Sequence, residues 1–452
     1  MKMNIHSASI FYTRLLTVVV FSLIGCSGGS SNPLAPVQAA QAKNVGNFTN
    51  TIFLGDSLTA GYQSGSLLDT AQVHGWANLI ATQAAFDISL PLIAPPGAPS
   101  VLQLISVGPP PIILPAPGIT TGRDNPATQP TDLAVPGAVL NDVLNAVPLA
   151  NPTTDQQLIT LLVLGFPGLG YGLNLSQAGF AIKAQPTTIF LWIGNNDALI
   201  ADITGMPSSM TTVADFTAQY QALILQLTTM TPAHFIIANI PDVTQVPYLQ
   251  PAALVLAEYS QATGIPPAVL SGPLGIFPGD YVNPTGLAEI PAILAGTQKG
   301  PITDSGVLSA AEAATVQAQV VAFNQVIAAQ AKAANATLVD INALFAQVVA
   351  SGLTINGYTG TASFLGGFFS LDGIHPTNTG YAVVANKFID TMNAAISTKI
   401  PDVPLTAVAA ADPLWPPNLL PHPAAARPLI MPANAGKSID DLMLGKKVKP
   451  NQ

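Results

Sequence analysis

The chain predicts an α/β doubly wound domain, and two observations carry that prediction. Short, continuously apolar β-type runs recur at residues 51–54, 188–193, 235–238 and 337–341. Unbroken apolarity, as opposed to strict alternation, marks strands covered on both faces, as in a parallel sheet. Between the runs lie helical patterns. Phe216, Tyr220, Leu223 and Leu227 share one face, behind Thr212 and Asp215 in capping positions. Ser309 and Glu312 form a capping box ahead of the stripe Val316, Val320, Phe323 and Ile327. Strands alternating with amphipathic helices build a sheet with a helical layer on each side, and such folds bind ligands beyond the carboxyl ends of their strands.

Each segment follows in order. Lys2 and Arg14 precede an apolar stretch from Leu15 to Ile24, too short to span a bilayer and of the length of a secretory h-region. It ends Leu23-Ile24-Gly25-Cys26, which resembles the lipobox of bacterial lipoproteins. That resemblance implies a signal peptide over 1–25 and acylation of Cys26, the only cysteine of the chain. It further implies export and anchoring in the cell envelope, with Ser27 favouring the outer of two membranes. Residues 26–47 have the composition of a flexible tether. Two proline-marked insertions, at about 88–130 and 245–305, are excursions from the core, ordered on it as a lid or rim. Residues 399–452 form a Pro/Ala-rich tail, loosely attached.

Composition narrows the function. Only 8% of residues are charged and 49% are hydrophobic, the opposite of what disorder requires. The net charge of -9, from 14 basic and 23 acidic residues, offers no basic face for nucleic acid.

The first apolar run leads into Gly55-Asp56-Ser57-Leu58, with a helix-compatible stretch after it. A serine there is either a helix cap or a nucleophile beside the N–H groups of a helix N-terminus. A nucleophilic serine needs a base. Of the five histidines, His6 lies in the signal peptide, His422 in the tail, and His74 and His234 in structural settings. His375 differs, because Asp372 stands three residues before it on a turn and can hold its tautomer. The second apolar run ends in Gly194-Asn195-Asn196-Asp197, where a carboxamide can serve as an oxyanion donor or simply mark a turn. Pro136-Gly137 is a further turn.

In order, Gly55-Asp56-Ser57-Leu58, Gly137, Gly194-x-Asn196-Asp197 and Asp372-x-x-His375 resemble the four blocks of the SGNH (GDSL) hydrolase family, over residues 48–398. The resemblance implies a flavodoxin-like three-layer α/β/α sandwich with a central parallel sheet, and neither metal nor organic cofactor. It implies hydrolysis of carboxylic esters by two-step acyl transfer, on small-molecule or lipid esters. Ser57 would be the nucleophile, His375 the base and Asp372 its orienting partner. The oxyanion donors would be Ser57 N–H, Gly137 N–H and Asn196, supported by Asp56, Gly194 and Asp197. A carbohydrate O-acetyl esterase is the alternative, and a non-catalytic surface-binding lipoprotein is the alternative of another class. The aliphatic residues of the first insertion, among them Leu90, Ile93, Leu102, Ile112, Ile113 and Leu114, either line an acyl site or pack as core.

Overall fold

The four apolar runs form one parallel sheet in the computed structural model, which describes residues 46–108, 110–165, 174–419 and 429–445. The strands are β1 (Thr51–Gly55), β2 (Thr188–Trp192), β3 (His234–Ala238) and β4 (Thr337–Val339), in the order β1-β2-β3-β4. Register is set residue by residue, Thr51 opposite Thr188 and Gly55 opposite Trp192, then Ile189 opposite Phe235 and Ile236 opposite Thr337. A fifth segment, not anticipated as a strand, runs parallel along the free side of β1. Phe53 N–H donates to Thr131, and Leu133 and Val135 donate back to Phe53 and Gly55. Counting that segment, chain order across the sheet is 2-1-3-4-5, the flavodoxin-like doubly wound order.

Unbroken apolarity finds its reason in the packing. Ile52, Leu54, Ile189, Leu191, Phe235 and Ile237 point to one face and join the stripes Phe216-Tyr220-Leu223-Leu227 and Val316-Val320-Phe323-Ile327. Those stripes lie on the helices Val213–Met230 and Ala310–Ala333, whose caps at Thr212 and Ser309 form as expected. The opposite face presents Phe53, Phe190 and Trp192 to the helices Trp76–Ala84 and Asn378–Ala395. There Phe53 stacks on Phe190 at 4.6 Å between ring centroids and Trp76 stacks on Phe388 at 4.1 Å. Each such aromatic pair adds about 0.5–1.5 kcal/mol beyond the area it buries. The result is three layers, α/β/α.

The insertions are ordered. The first carries a hairpin, Leu102–Ser106 against Ile112–Pro115, that buries Leu102 and Ile113 and leaves Ile112 and Leu114 exposed. The second folds into helices Ala252–Thr263, Pro267–Leu274 and Pro284–Leu294 around an apolar cluster of its own.

The expectation of a loose tail is corrected for the residues described. Val403, Trp415, Met431, Ile439 and Leu442 are all buried, so the Pro/Ala-rich composition hides a spaced set of large apolar anchors. The expected signal peptide, Cys26 and the tether as far as residue 45 lie outside the described residues, as do 420–428 and 446–452. Among the described residues no helix is long and apolar enough to cross a membrane.

Candidate active site

β1 delivers Ser57 to the carboxyl edge of the sheet. Both backbone groups of Gly55 are held by one carboxamide: its N–H donates to Gln177 Oε1 at 2.9 Å and its carbonyl accepts from Gln177 Nε2 at 2.9 Å. Asp56, wholly buried, accepts from Leu58 N–H at 3.0 Å and from Asn195 Nδ2 at 2.8 Å. Burial raises its pKa to about 6 against those two hydrogen bonds. The helix expected after Ser57 does not form. The chain closes one turn, Tyr62 N–H to Ser57 carbonyl at 3.1 Å, and leaves it through Gly61 at φ +73°. The orientation of Ser57 therefore comes from this turn and from the Asp56 carboxylate, not from a helix N-terminus.

The loop ahead of the helix Asn378–Ala395 carries Asp372 and His375. Asp372 is an acceptor on every side. Its Oδ1 takes the N–H groups of Ile374 and His375, each at 2.9 Å, and its Oδ2 takes Gly65 N–H at 2.7 Å and His375 Nδ1 at 3.0 Å. Burial works to raise its pKa, but the imidazole and these hydrogen bonds prevail and hold it below the usual carboxylate value. A carboxylate has no proton to give, so Nδ1 must carry the hydrogen, and Nε2 is left as an acceptor. Nε2 lies 2.7 Å from Ser57 Oγ. The tautomer follows from the hydrogen-bond pattern. Tyr62 packs against the imidazole at 4.6 Å, and Ser57 and His375 are only 5% and 3% exposed.

Two further loops converge on the same edge. Residues 135–138 form a turn, closed by Ala138 N–H to Val135 carbonyl at 3.1 Å. Gly137 sits in it at φ +79°, the third turn position where a type II turn demands glycine. Gly194 caps the helix Asn195–Thr204 at φ +115°, with Phe216 2.9 Å from where a Cβ would sit. Asn196 Nδ2 donates to Ala138 carbonyl at 2.9 Å, which ties the two loops together beside Gly137. Asp197 bolts them further, accepting from Leu140 N–H at 2.8 Å and Thr211 Oγ1 at 2.7 Å, and burial raises its pKa to about 6. No described group accepts from the N–H of Ser57 or Gly137.

Asp372, His375 and Ser57 are thus brought into one hydrogen-bonded line, with Asp56, Gly194 and Asp197 buttressing the loops around it. His234 bonds to Thr337 at 3.2 Å and His74 is half-buried, both away from Ser57. Sequence reasoning missed Asn195, Gln177 and Gly65, which hold Asp56, Gly55 and Asp372. For Asn195 the doubled asparagine was the only trace; a lone glutamine or glycine carries none. Among the described residues no group of three His, Cys, Asp or Glu side chains could hold a metal ion.

An apolar cavity of about 100 Å³ is walled by Leu58 and Ile374, next in the chain to Ser57 and His375, together with Leu199, Val243, Phe345 and Val383. None of the first insertion's aliphatic residues lines it, because they pack into the core or face outward.

In structure the chain is similar to an acetylxylan esterase from Geobacillus stearothermophilus, at 12% identity, covering 77% of this chain and 96% of that one, TM-score 0.36. It is similar to a lipase/acylhydrolase from Enterococcus faecalis at 14% identity, covering 78% and 100%, TM-score 0.32. No curated protein matches it in sequence. The family model described as GDSL-like lipase/acylhydrolase matches residues 52–388, which take in β1 from Ile52, all the loops named above and the helix after His375 as far as Phe388. The chain belongs to the GDSL-like lipase/acylhydrolase family, the one its four sequence blocks resemble.

Proposed function

We propose that the chain is a serine esterase that acts by two-step acyl transfer through Ser57. The observation that carries this reading is the buried line Asp372–His375–Ser57, with its tautomer set for proton abstraction. His375 Nε2 takes the Ser57 proton as Oγ attacks the ester carbonyl, and the alkoxide oxygen of the tetrahedral adduct forms. Ser57 N–H, Gly137 N–H and the second amide hydrogen of Asn196 would donate to that oxygen. His375 returns the proton to the departing alcohol. It then activates water, which attacks the acyl-enzyme and releases the acid. Asp372 keeps Nδ1 protonated throughout and stabilises the imidazolium.

The apolar cavity favours an acyl chain over an acetyl group, because its wall offers hydrocarbon to every atom beyond the carbonyl. Its volume of about 100 Å³ is about two-thirds of the roughly 150 Å³ of a cavity that holds benzene, so a short acyl tail fits. Cys26 would anchor the enzyme to the envelope after export, on the lipobox resemblance. Ser57→Ala should fold normally and lose turnover of butanoate esters. Turnover retained by a folded Ser57→Ala protein would overturn the reading.

A further inference from the structure

Among the described residues the C-terminal strap 429–445 meets the loop of Asp372 and His375, the loop of Gly137, and Gly65, whose N–H holds Asp372. Met431 Sδ lies 2.7 Å from where a Cβ on Gly373 would sit, between Asp372 and His375. Ser438 packs on Gly65, whose N–H holds Asp372, and Leu442 Cγ lies 3.2 Å from a Cβ on Gly137. Polar ties fix its path: Tyr248 OH donates to Asp440, and Asn434 Nδ2 donates to Ile113 carbonyl at 2.7 Å. Its own Met431, Ile439 and Leu442 are buried.

Against the strap lies a second cavity, of about 610 Å³, on the side of the Ser57 line that holds Gly137 and Asn196. Its wall is mixed where the first is apolar, with Val139, Val147, Leu149 and Ile200 set beside polar side chains. Thr154, Gln156, Thr160, Ser209 and Thr211 line it, and among the described residues no lysine, arginine or histidine does. Gln156 Oε1 is a buried acceptor without a hydrogen-bond partner, and it lies 2.6 Å from where a Cβ on Gly137 would sit. The outer wall is the strap itself, through Leu442, Met443 and Gly445.

We propose that the strap completes the substrate site, with Leu442 and Met443 as specificity-determining residues for the alcohol half of the ester. The inference rests on the esterase reading above. An ester has two halves, and the apolar cavity suits the acyl chain, so the cavity of mixed lining receives the alcohol. The threonine and serine hydroxyls of its wall suit a hydroxyl-bearing alcohol. Among the described residues the wall offers a phosphate or carboxylate no cation, while the half-buried Asp142 and the buried Asp197 carboxyls would repel it. The alcohol class is therefore neutral and hydroxyl-bearing.

The test compares three butanoate esters, of methanol, glucose and glycolate, on the full-length enzyme. Met443 is only half-buried, so its substitution spares the core. Met443→Trp narrows the cavity and should lower kcat/KM for the glucose ester about tenfold or more, while the methyl ester stays within about twofold. Met443→Ala should keep or raise the glucose-ester rate, and the glycolate ester should be the poorest substrate of the wild type. An equal effect of Met443→Trp on methyl and glucose esters, or none on either, overturns the strap as a selective wall. A glycolate ester cleaved as fast as the glucose ester overturns the charge selection. Failure of the esterase reading looks different: the wild type would cleave none of the three, and the proposal would fall with it.

Discussion

Asp372→Asn isolates the part of the site that sets the imidazole tautomer. The carboxylate accepts two N–H groups on each oxygen: Ile374 and His375 on Oδ1, Gly65 and the imidazole on Oδ2. Asparagine must turn an NH2 toward one of these pairs. If it faces Ile374 and His375, two fixed backbone donors lose their acceptor. If it faces Gly65 and the imidazole, only Gly65 N–H is orphaned, because the imidazole can move its proton to Nε2 and accept at Nδ1. One buried, unpaired donor costs about 1–3 kcal/mol and two cost about twice that, so the second orientation wins. In that orientation Nε2 carries a hydrogen and cannot take the Ser57 proton. The variant should therefore fold, lose about 1–3 kcal/mol of stability, and lose about 10⁴-fold in kcat, the order seen when a triad carboxylate is replaced by its amide. Urea unfolding and single-turnover cleavage of a p-nitrophenyl butanoate measure the two. A folded Asp372→Asn protein with kcat within about tenfold of wild type would refute the tautomer argument.

Other consequences follow from the same geometry. Asn196→Ala removes a proposed oxyanion donor and should lower kcat by about 100- to 1000-fold with KM little changed, and a rise in KM alone would point to ground-state binding. Val383→Trp fills the apolar cavity and should cut kcat/KM for hexanoate esters about tenfold or more while sparing acetate esters; equal losses on both would remove the cavity from acyl binding. Burial lifts the Asp132 carboxyl to about 8, with Ala134 N–H donating to it at 3.1 Å. Its folded-state pKa lies above the unfolded value, so the stability gained by keeping it protonated is whole below about pH 4 and is lost as pH rises toward 8. Asp132→Asn keeps an oxygen for Ala134 but has no charge to bury. Wild-type stability should therefore fall relative to the variant by up to about 1.4 kcal/mol per pH unit between pH 5 and 8, and parallel urea midpoints at the two pH values would contradict it.

Much of the core was legible, and the reason is burial. Ile52, Leu54, Phe190 and Ile237 are apolar because each face of the sheet is covered, so period and composition announce them without reference to the rest of the chain. Capping at Thr212 and Ser309 was legible for a related reason, since a cap acts within four residues of itself. The edge segment 131–135 escaped notice because Asp132 and Pro136 interrupt its apolar run, and its hydrogen bonds to β1 depend on a chain some 80 residues away. Of the site, Ser57, Asp372 and His375 carry their chemistry in their own residue types. Their supports do not. Gln177 grips Gly55 from 122 positions away, and Gly65 donates to Asp372 across 307. The tail reads as loose because alanine and proline are frequent over 399–452, while Met431, Ile439 and Leu442 dock its strap with the polar ties of Asn434 and Asp440.

The central claim is that Ser57 is made nucleophilic by the imidazole 2.7 Å from its hydroxyl. Labelling with a fluorophosphonate, read by peptide mass spectrometry in wild type and in His375→Ala, tests it most directly. The adduct should sit on Ser57 in the wild type and be lost in His375→Ala. A label on another residue, or one that persists on Ser57 without His375, would contradict the account.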